Sequence, residues 1–187
     1  MIPMQPWKTL AKRPLCEPNR FLKVELHQVG LPDGSCIADW PWLITPDYAN
    51  VLARTRDGRF LCFRQTKYAV AGVTLAPVGG FLEPGEDPLH GAQRELREET
   101  GYESPEWHPL GSCVVDANRG AGMANLFLAL DAEAKCPPQA DDLEQQELLL
   151  LSRGELEKSL DRGDFKVLAW LTVIVLGLRY LDKHGRG

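Results

Sequence analysis

An α/β fold is predicted by three features of the sequence: short strand-like runs separated by turn residues, a capped helix near the middle of the chain, and two helical segments close to its end. The 187 residues fit one domain, and a hydrophobic content of 44% supplies the apolar surface of a core. Within that single domain, residues 1–46 read as an N-terminal β extension and residues 47–187 as the body.

The elements follow in order. Residues 20–29 and 35–44 read as strands, and Pro32-Asp33-Gly34 between them makes the pair an antiparallel hairpin. Residues 48–54 and 60–65 give two more strands, set off by Pro46-Asp47 and Asp57-Gly58. Later strands are expected at 107–115, 124–130 and 148–151, and helices at 153–160 and 165–182. Pro137 and Pro138 open a loop that runs through Asp142. The apolar run 167–178 is shorter than the roughly 20 residues that cross a bilayer, so it reads as a buried or dimer-facing helix.

The middle helix has the clearest punctuation. Asp87 suits the N-cap, Pro88 the first turn and Gly101 the left-handed position after the last turn, which bounds the helix at Pro88–Thr100. Leu89, Ala92 and Leu96 form its apolar stripe, and Gly91 weakens it by about 1 kcal/mol relative to alanine. On the other side Glu95, Glu98 and Glu99 stand at i, i+3 and i+4, with Glu86 in the entry loop. A solvated, charge-laced helix is one reading of this pattern. Three like charges within one turn repel one another, however, and hard divalent cations want several carboxylate oxygens with room for water and phosphate. A metal cradle accounts for what stability does not.

From Gly79 to Tyr102 the chain reads GGFLEPGEDPLHGAQRELREETGY, which resembles the Nudix hydrolase signature G-x5-E-x7-R-E-U-x-E-E-x-G-U, with U a bulky aliphatic residue. Gly80, Glu86, Arg94, Glu95, Leu96, Glu98, Glu99 and Gly101 fall in register without insertion, and Tyr102 alone departs. The resemblance implies an α/β/α sandwich around a mixed sheet, preceded here by the N-terminal hairpin, and hydrolysis of a nucleoside diphosphate linked to another moiety with Mg²⁺ or Mn²⁺. It also implies roles. Glu95 and Glu99 would be the main metal ligands with Glu98 close by, Glu86 would bind through water or support the cluster, Arg94 would orient the carboxylates, and the Gly79 carbonyl would be a further ligand.

The extension, the segment Gln65-Thr66-Lys67-Tyr68 and the C-terminal helices resemble the ADP-ribose and ADP-sugar pyrophosphatase branch. That likeness places Lys67 at a substrate-contacting position and Glu144, in the acidic stretch Asp141–Glu147, as general base, with Glu147 in reserve and Glu98 as a rival. Lys67 also reads as an exposed strand-end lysine, and the acidic stretch as a surface loop. Arg119, between glycine-flanked loop residues, reaches a phosphate or is solvated. Trp40 and Trp42 share one strand face, where they stack an adenine or pack in a core or dimer interface.

The remaining features narrow the class. A net charge of −5 argues against a broad nucleic-acid interface. The five cysteines are odd in number and lack a C-x-x-C pair, which favours neither disulfides nor zinc and fits a reducing cytoplasm, and no signal peptide opens the chain. The four histidines have no metal-ligand spacing. The N-terminal strands and the apolar C-terminal helix offer surfaces for a homodimer. Two other functions share the signature: hydrolysis of oxidised nucleoside triphosphates, usual in shorter chains, and a non-catalytic nucleotide-sensing module, in which the glutamates would be eroded.

Overall fold

A computed structural model describes residues 4–139 and 145–186. The chain forms two compact units, one from Met1–Asp47 with Cys113–Met123, the other from Tyr48–Ser112 with Ala124–Gly187.

The first unit is built on a three-stranded antiparallel meander, β1 (Lys8–Asn19), β2 (Leu22–Gly30) and β3 (Cys36–Ile44). The expected hairpin is present as β2 and β3, with Lys23 opposite Ile44 and Gly30 opposite Cys36. Asp33 closes its turn by accepting from the Ser35 amide at 2.9 Å and hydroxyl at 2.6 Å. The extension is larger than a hairpin, because β1 pairs along β2 from Lys8 opposite Gly30 to Asn19 opposite Leu22. Nothing in the alternation of residues announced β1. It is exposed at all twelve positions and interrupted by register shifts at Thr9/Ala11, Pro14/Cys16 and Cys16/Asn19, and its prolines are tolerated in an irregular strand.

The second unit is a mixed sheet between helices. Its strand β4 (Tyr48–Thr55) runs parallel to β10 (Gly120–Ala134) and antiparallel to β5 (Phe60–Thr66) and β7 (Val78–Phe81). β5 in turn pairs with β6 (Val73–Ala76) and β11 (Gln146–Leu151), and β10 with β8 (Tyr102–Glu103) and β9 (Glu106–Asp116). β4 is buried on both faces through its middle, where apolar Ala49, Val51, Leu52 and Ala53 flank Asn50. Ala49, Val51 and Ala53 pack in one cluster with Ala92 and Leu96 of helix α1 (Pro88–Thr100). Leu52 on the opposite face packs with Leu156 of α2 (Arg153–Asp161) and with Val173, Ile174, Leu178 and Leu181 of α3 (Leu168–Lys183). This is the expected α/β/α sandwich.

Helix α1 has the bounds its caps predicted. α3 starts later than expected, and Phe165 is buried in the core ahead of it. Leu168, Leu171 and Val175 stay exposed on α3, so that helix is only half buried. Among the described residues no helix is long and apolar enough to cross a membrane. The short strands β6, β7 and β8 were not read from the sequence, since two to four residues carry too little pattern.

Candidate active site

Helix α1 is fixed at both ends. Asp87 Oδ1 accepts from the amides of Leu89 at 2.9 Å and His90 at 3.2 Å, a cap worth about 1 kcal/mol. At the other end the Gly101 amide donates to Arg97 carbonyl oxygen from a left-handed conformation. Between these ends Ala92 and Leu96 are fully buried and hold the opposite face outward.

On that face Arg94 is the hub. Its Nε donates to Glu86 Oε1 at 2.9 Å and its Nη2 to Glu86 Oε2 at 3.0 Å, a bidentate pair; Nη1 donates to Glu95 Oε1 at 2.8 Å and Glu98 Oε2 at 3.0 Å; Nη2 also donates to the Phe81 carbonyl at 3.1 Å. All five N–H bonds of a guanidinium are thereby used. Glu99 is held differently, its Oε2 accepting from the Gly79 amide at 3.0 Å. Hydrogen bonds from Arg94 hold the Glu86 carboxyl below its ordinary range, against burial and with help from the Glu83 amide. The Glu86 carboxylate above all raises the Arg94 pKa, keeping the guanidinium charged.

Two glycines allow this packing. A Cβ at Gly80 would collide with the Glu95 carboxylate, and a Cβ at Gly91 would collide with Leu82 and stand 3.0 Å from Glu86 Oε2. Gly91 is therefore where the entry loop folds across α1, a role that helix propensity does not reveal.

One guanidinium bridging three carboxylates leaves the group with excess negative charge, and its donors are hard oxygens, the kind Mg²⁺ and Mn²⁺ take. Among the described residues no three carboxylate, imidazole or thiolate side chains already converge as one shell. Magnesium suits that arrangement, since it is usually held by one or two carboxylates and completed by water and phosphate oxygen. The donor set fits the expected cation.

Beside Arg94 and Glu98 opens a cleft of about 710 Å³, lined further by Arg97, Ser104, Trp107 and Gln139. Trp107 is pinned there by its Nε1 donating to the Ser104 carbonyl at 3.0 Å, while the Gln139 amide donates to Glu98 carbonyl oxygen at 2.7 Å. No spacing in the sequence links these residues, because β8 and the segment after β10 are brought to α1 only by the fold.

The structure thus assembles Glu86, Arg94, Glu95 and Glu98 into one hydrogen-bonded group and joins Glu99 to Gly79. Lys67 lies just after β5, in a turn closed by its carbonyl accepting from the Val70 amide at 2.9 Å, and is not among the groups bonded to Arg94. Trp42 and Arg119 belong to the first unit. Trp42 stacks on buried His27, ring centroids 5.2 Å apart, and lines a cavity of about 340 Å³ with Trp7 and Trp40. Arg119 pairs with Asp116 at 3.6 Å, and its carbonyl accepts from Leu43. Glu144 lies outside the described residues. Glu147 sits on β11, ion-paired to Arg64 at 3.0 Å on the opposite strand.

Comparison with known proteins agrees with this geometry. The family model for the NUDIX domain matches residues 45–171, more than half of the chain. The chain is 26% identical over 153 residues to an ADP-ribose pyrophosphatase of Bacillus subtilis (strain 168), covering 82% of this chain and 80% of that one. It is 28% identical over 141 residues to a methanol dehydrogenase activator of Bacillus methanolicus, covering 75% of each. A crystal structure described as an ADP compounds hydrolase superposes with a TM-score of 0.84 over 100% of both chains at 17% identity, a likeness of fold. Signature, sandwich and family match converge: the chain belongs to the Nudix family and is a Nudix hydrolase.

Proposed function

We propose that this hydrolase cleaves the diphosphate linkage of a nucleoside diphosphate joined to a sugar, with ADP-ribose or a related ADP-sugar as the substrate class and Mg²⁺ or Mn²⁺ as cofactor, releasing a nucleoside monophosphate and a sugar phosphate. The observation that carries the reading is the Arg94-bridged carboxylate group of Glu86, Glu95 and Glu98, with Glu99 fastened beside it. The substrate class is supported by the relative described as an ADP-ribose pyrophosphatase, which the chain matches over most of both lengths.

When bound, the cation neutralises phosphate oxygens and lowers the pKa of bound water. The residues do the rest. Glu95 and Glu99 would supply its principal oxygens, with Glu98 and the Gly79 carbonyl as further donors and Glu86 binding through water or supporting the cluster. Arg94 keeps the carboxylates together despite their repulsion. A carboxylate, Glu144 or Glu98, takes the proton from water as its oxygen bonds to one phosphorus, and the bridging oxygen leaves with the other phosphate. Lys67, in the same unit as the carboxylate group, serves as a cationic contact for the phosphates.

The experiment is a Mg²⁺- and Mn²⁺-dependent hydrolysis screen over ADP-ribose, ADP-glucose, other nucleoside diphosphate sugars and dinucleoside polyphosphates, with product identification. Glu99→Gln should lower kcat at least about a hundredfold in a folded protein. Wild-type turnover in that variant would remove the assignment, and hydrolysis confined to nucleoside triphosphates would replace the substrate class.

Self-association belongs to the same reading. β1 exposes Leu10 and Leu15 on a strand with no buried residue, a surface that a second copy would cover. Light scattering that finds only monomer would exclude it.

A further inference from the structure

Among the described residues, Asn50 Nδ2 is the one buried side-chain polar atom without a hydrogen-bond partner. Asn50 is 3% exposed and stands in β4 between Ala49 and Val51, which are wholly buried. Asparagine is a poor strand residue, and a buried donor left unsatisfied costs about 1–3 kcal/mol. A leucine would pack at this position without that loss. An orphan of this kind calls for a use.

Its surroundings indicate one. Asn50 is opposite Gly79 in the β4–β7 register, and its carboxamide lies against the bare Cα of that glycine, where a Cβ would stand 2.8 Å from Asn50 Oδ1. Gly79, at φ +155°, has no side chain to fix its peptide orientation. The same Gly79 donates its amide proton to Glu99 at 3.0 Å. A carboxamide, a glycine peptide and a carboxylate are thus stacked in series, and the first of them has a donor to spare.

Resting on the hydrolytic reading above, we infer that Asn50 is a positioning residue of this site. It acts through Gly79, backing the peptide that orients Glu99. Its Oδ1 faces Gly79, and its spare N–H₂ donates to the oxygen of a water held in the site when the diphosphate is engaged.

Asn50→Leu separates this role from packing, since it keeps the branching at Cγ and removes the orphan. Its melting temperature should equal or exceed that of the wild type. Its kcat should fall at least about tenfold with KM within about twofold, and Mn²⁺ affinity without substrate, read by calorimetric titration, should weaken by about threefold or more. A folded Asn50→Leu with wild-type kcat and Mn²⁺ affinity overturns the inference. If leucine does not fold, Asn50→Ala is read in the same way, and Asn50→Ser, which returns a donor, should recover part of the lost kcat; no recovery counts against the proposal. In the Glu99→Gln background, Asn50→Leu should weaken Mn²⁺ binding no further, and an additive loss would show that Asn50 does not act through Glu99. A wild-type protein that neither binds Mn²⁺ nor hydrolyses diphosphates would remove the hydrolytic reading itself, a result distinct from normal activity confined to the Asn50 variants.

Discussion

Arg94 grips Glu86 by both carboxylate oxygens, Nε to Oε1 at 2.9 Å and Nη2 to Oε2 at 3.0 Å, while its remaining nitrogen reaches Glu95 and Glu98. The entry loop and the carboxylate face of α1 are therefore tied by a single planar group.

A lysine at this position would keep the charge and lose the fork. Arg94→Lys should lower kcat/KM by about 10–100-fold, as loss of a group that orients metal ligands typically does, and destabilise the fold by about 1–3 kcal/mol. Steady-state kinetics and urea denaturation check the two parts. Near-wild-type kinetics would show that the carboxylates orient themselves without Arg94.

The same pair sets an acid limit. The folded Glu86 carboxyl lies below its ordinary value of 4.5, chiefly through hydrogen bonds from Arg94. A depressed folded pKa contributes stability that is fully present above the unfolded value and is lost as pH falls through the folded one. The urea midpoint should accordingly decline as pH drops from about 5 towards 3. Glu86→Gln should be less stable than wild type at pH 7 and show a flatter decline, so that the two converge in acid. Parallel curves would mean that Glu86 does not contribute to the acid limb.

What could be read from the sequence follows from how local each signal is. The bounds of α1 were legible because Asp87, Pro88 and Gly101 act within one turn of the helix ends. β4 and β5 were legible because turn residues bracket them. β1 was not, since all its residues are exposed and no apolar alternation marks it. The carboxylates could be grouped by helical spacing, but the five-donor arrangement of Arg94 needed the loop folded back over Gly91. The cleft beside Trp107 and the orphaned amide of Asn50 depend on strand register, which a one-dimensional pattern does not carry.

At Gly91 two effects oppose each other. Replacing glycine by alanine inside a helix gains about 1 kcal/mol of propensity. Here the added methyl would strike Leu82 and crowd Glu86, and overpacking typically costs about 1–3 kcal/mol. Gly91→Ala should therefore be net destabilising, with reduced activity as the Glu86 loop is displaced. A thermal melt decides the sign, and a raised melting temperature with full activity would show that the loop yields at no cost.

The cysteines test the burial pattern in solution. Cys62 lies wholly within the core, where burial pushes its thiol up to about 12, whereas Cys16, Cys36 and Cys113 are exposed. The thiolate is the reacting form, so at pH 8 Cys62 is both inaccessible and protonated. A disulfide reagent should label the three exposed positions rapidly, half-buried Cys136 more slowly, and Cys62 only as fast as the fold opens. Peptide mapping by mass spectrometry assigns each rate. Cys16, on β1, adds a report on self-association: its labelling should slow as protein concentration rises, while that of Cys62 stays tied to denaturant. Rapid labelling of Cys62 in the native protein would contradict the packing of β5 between α1 and the two C-terminal helices.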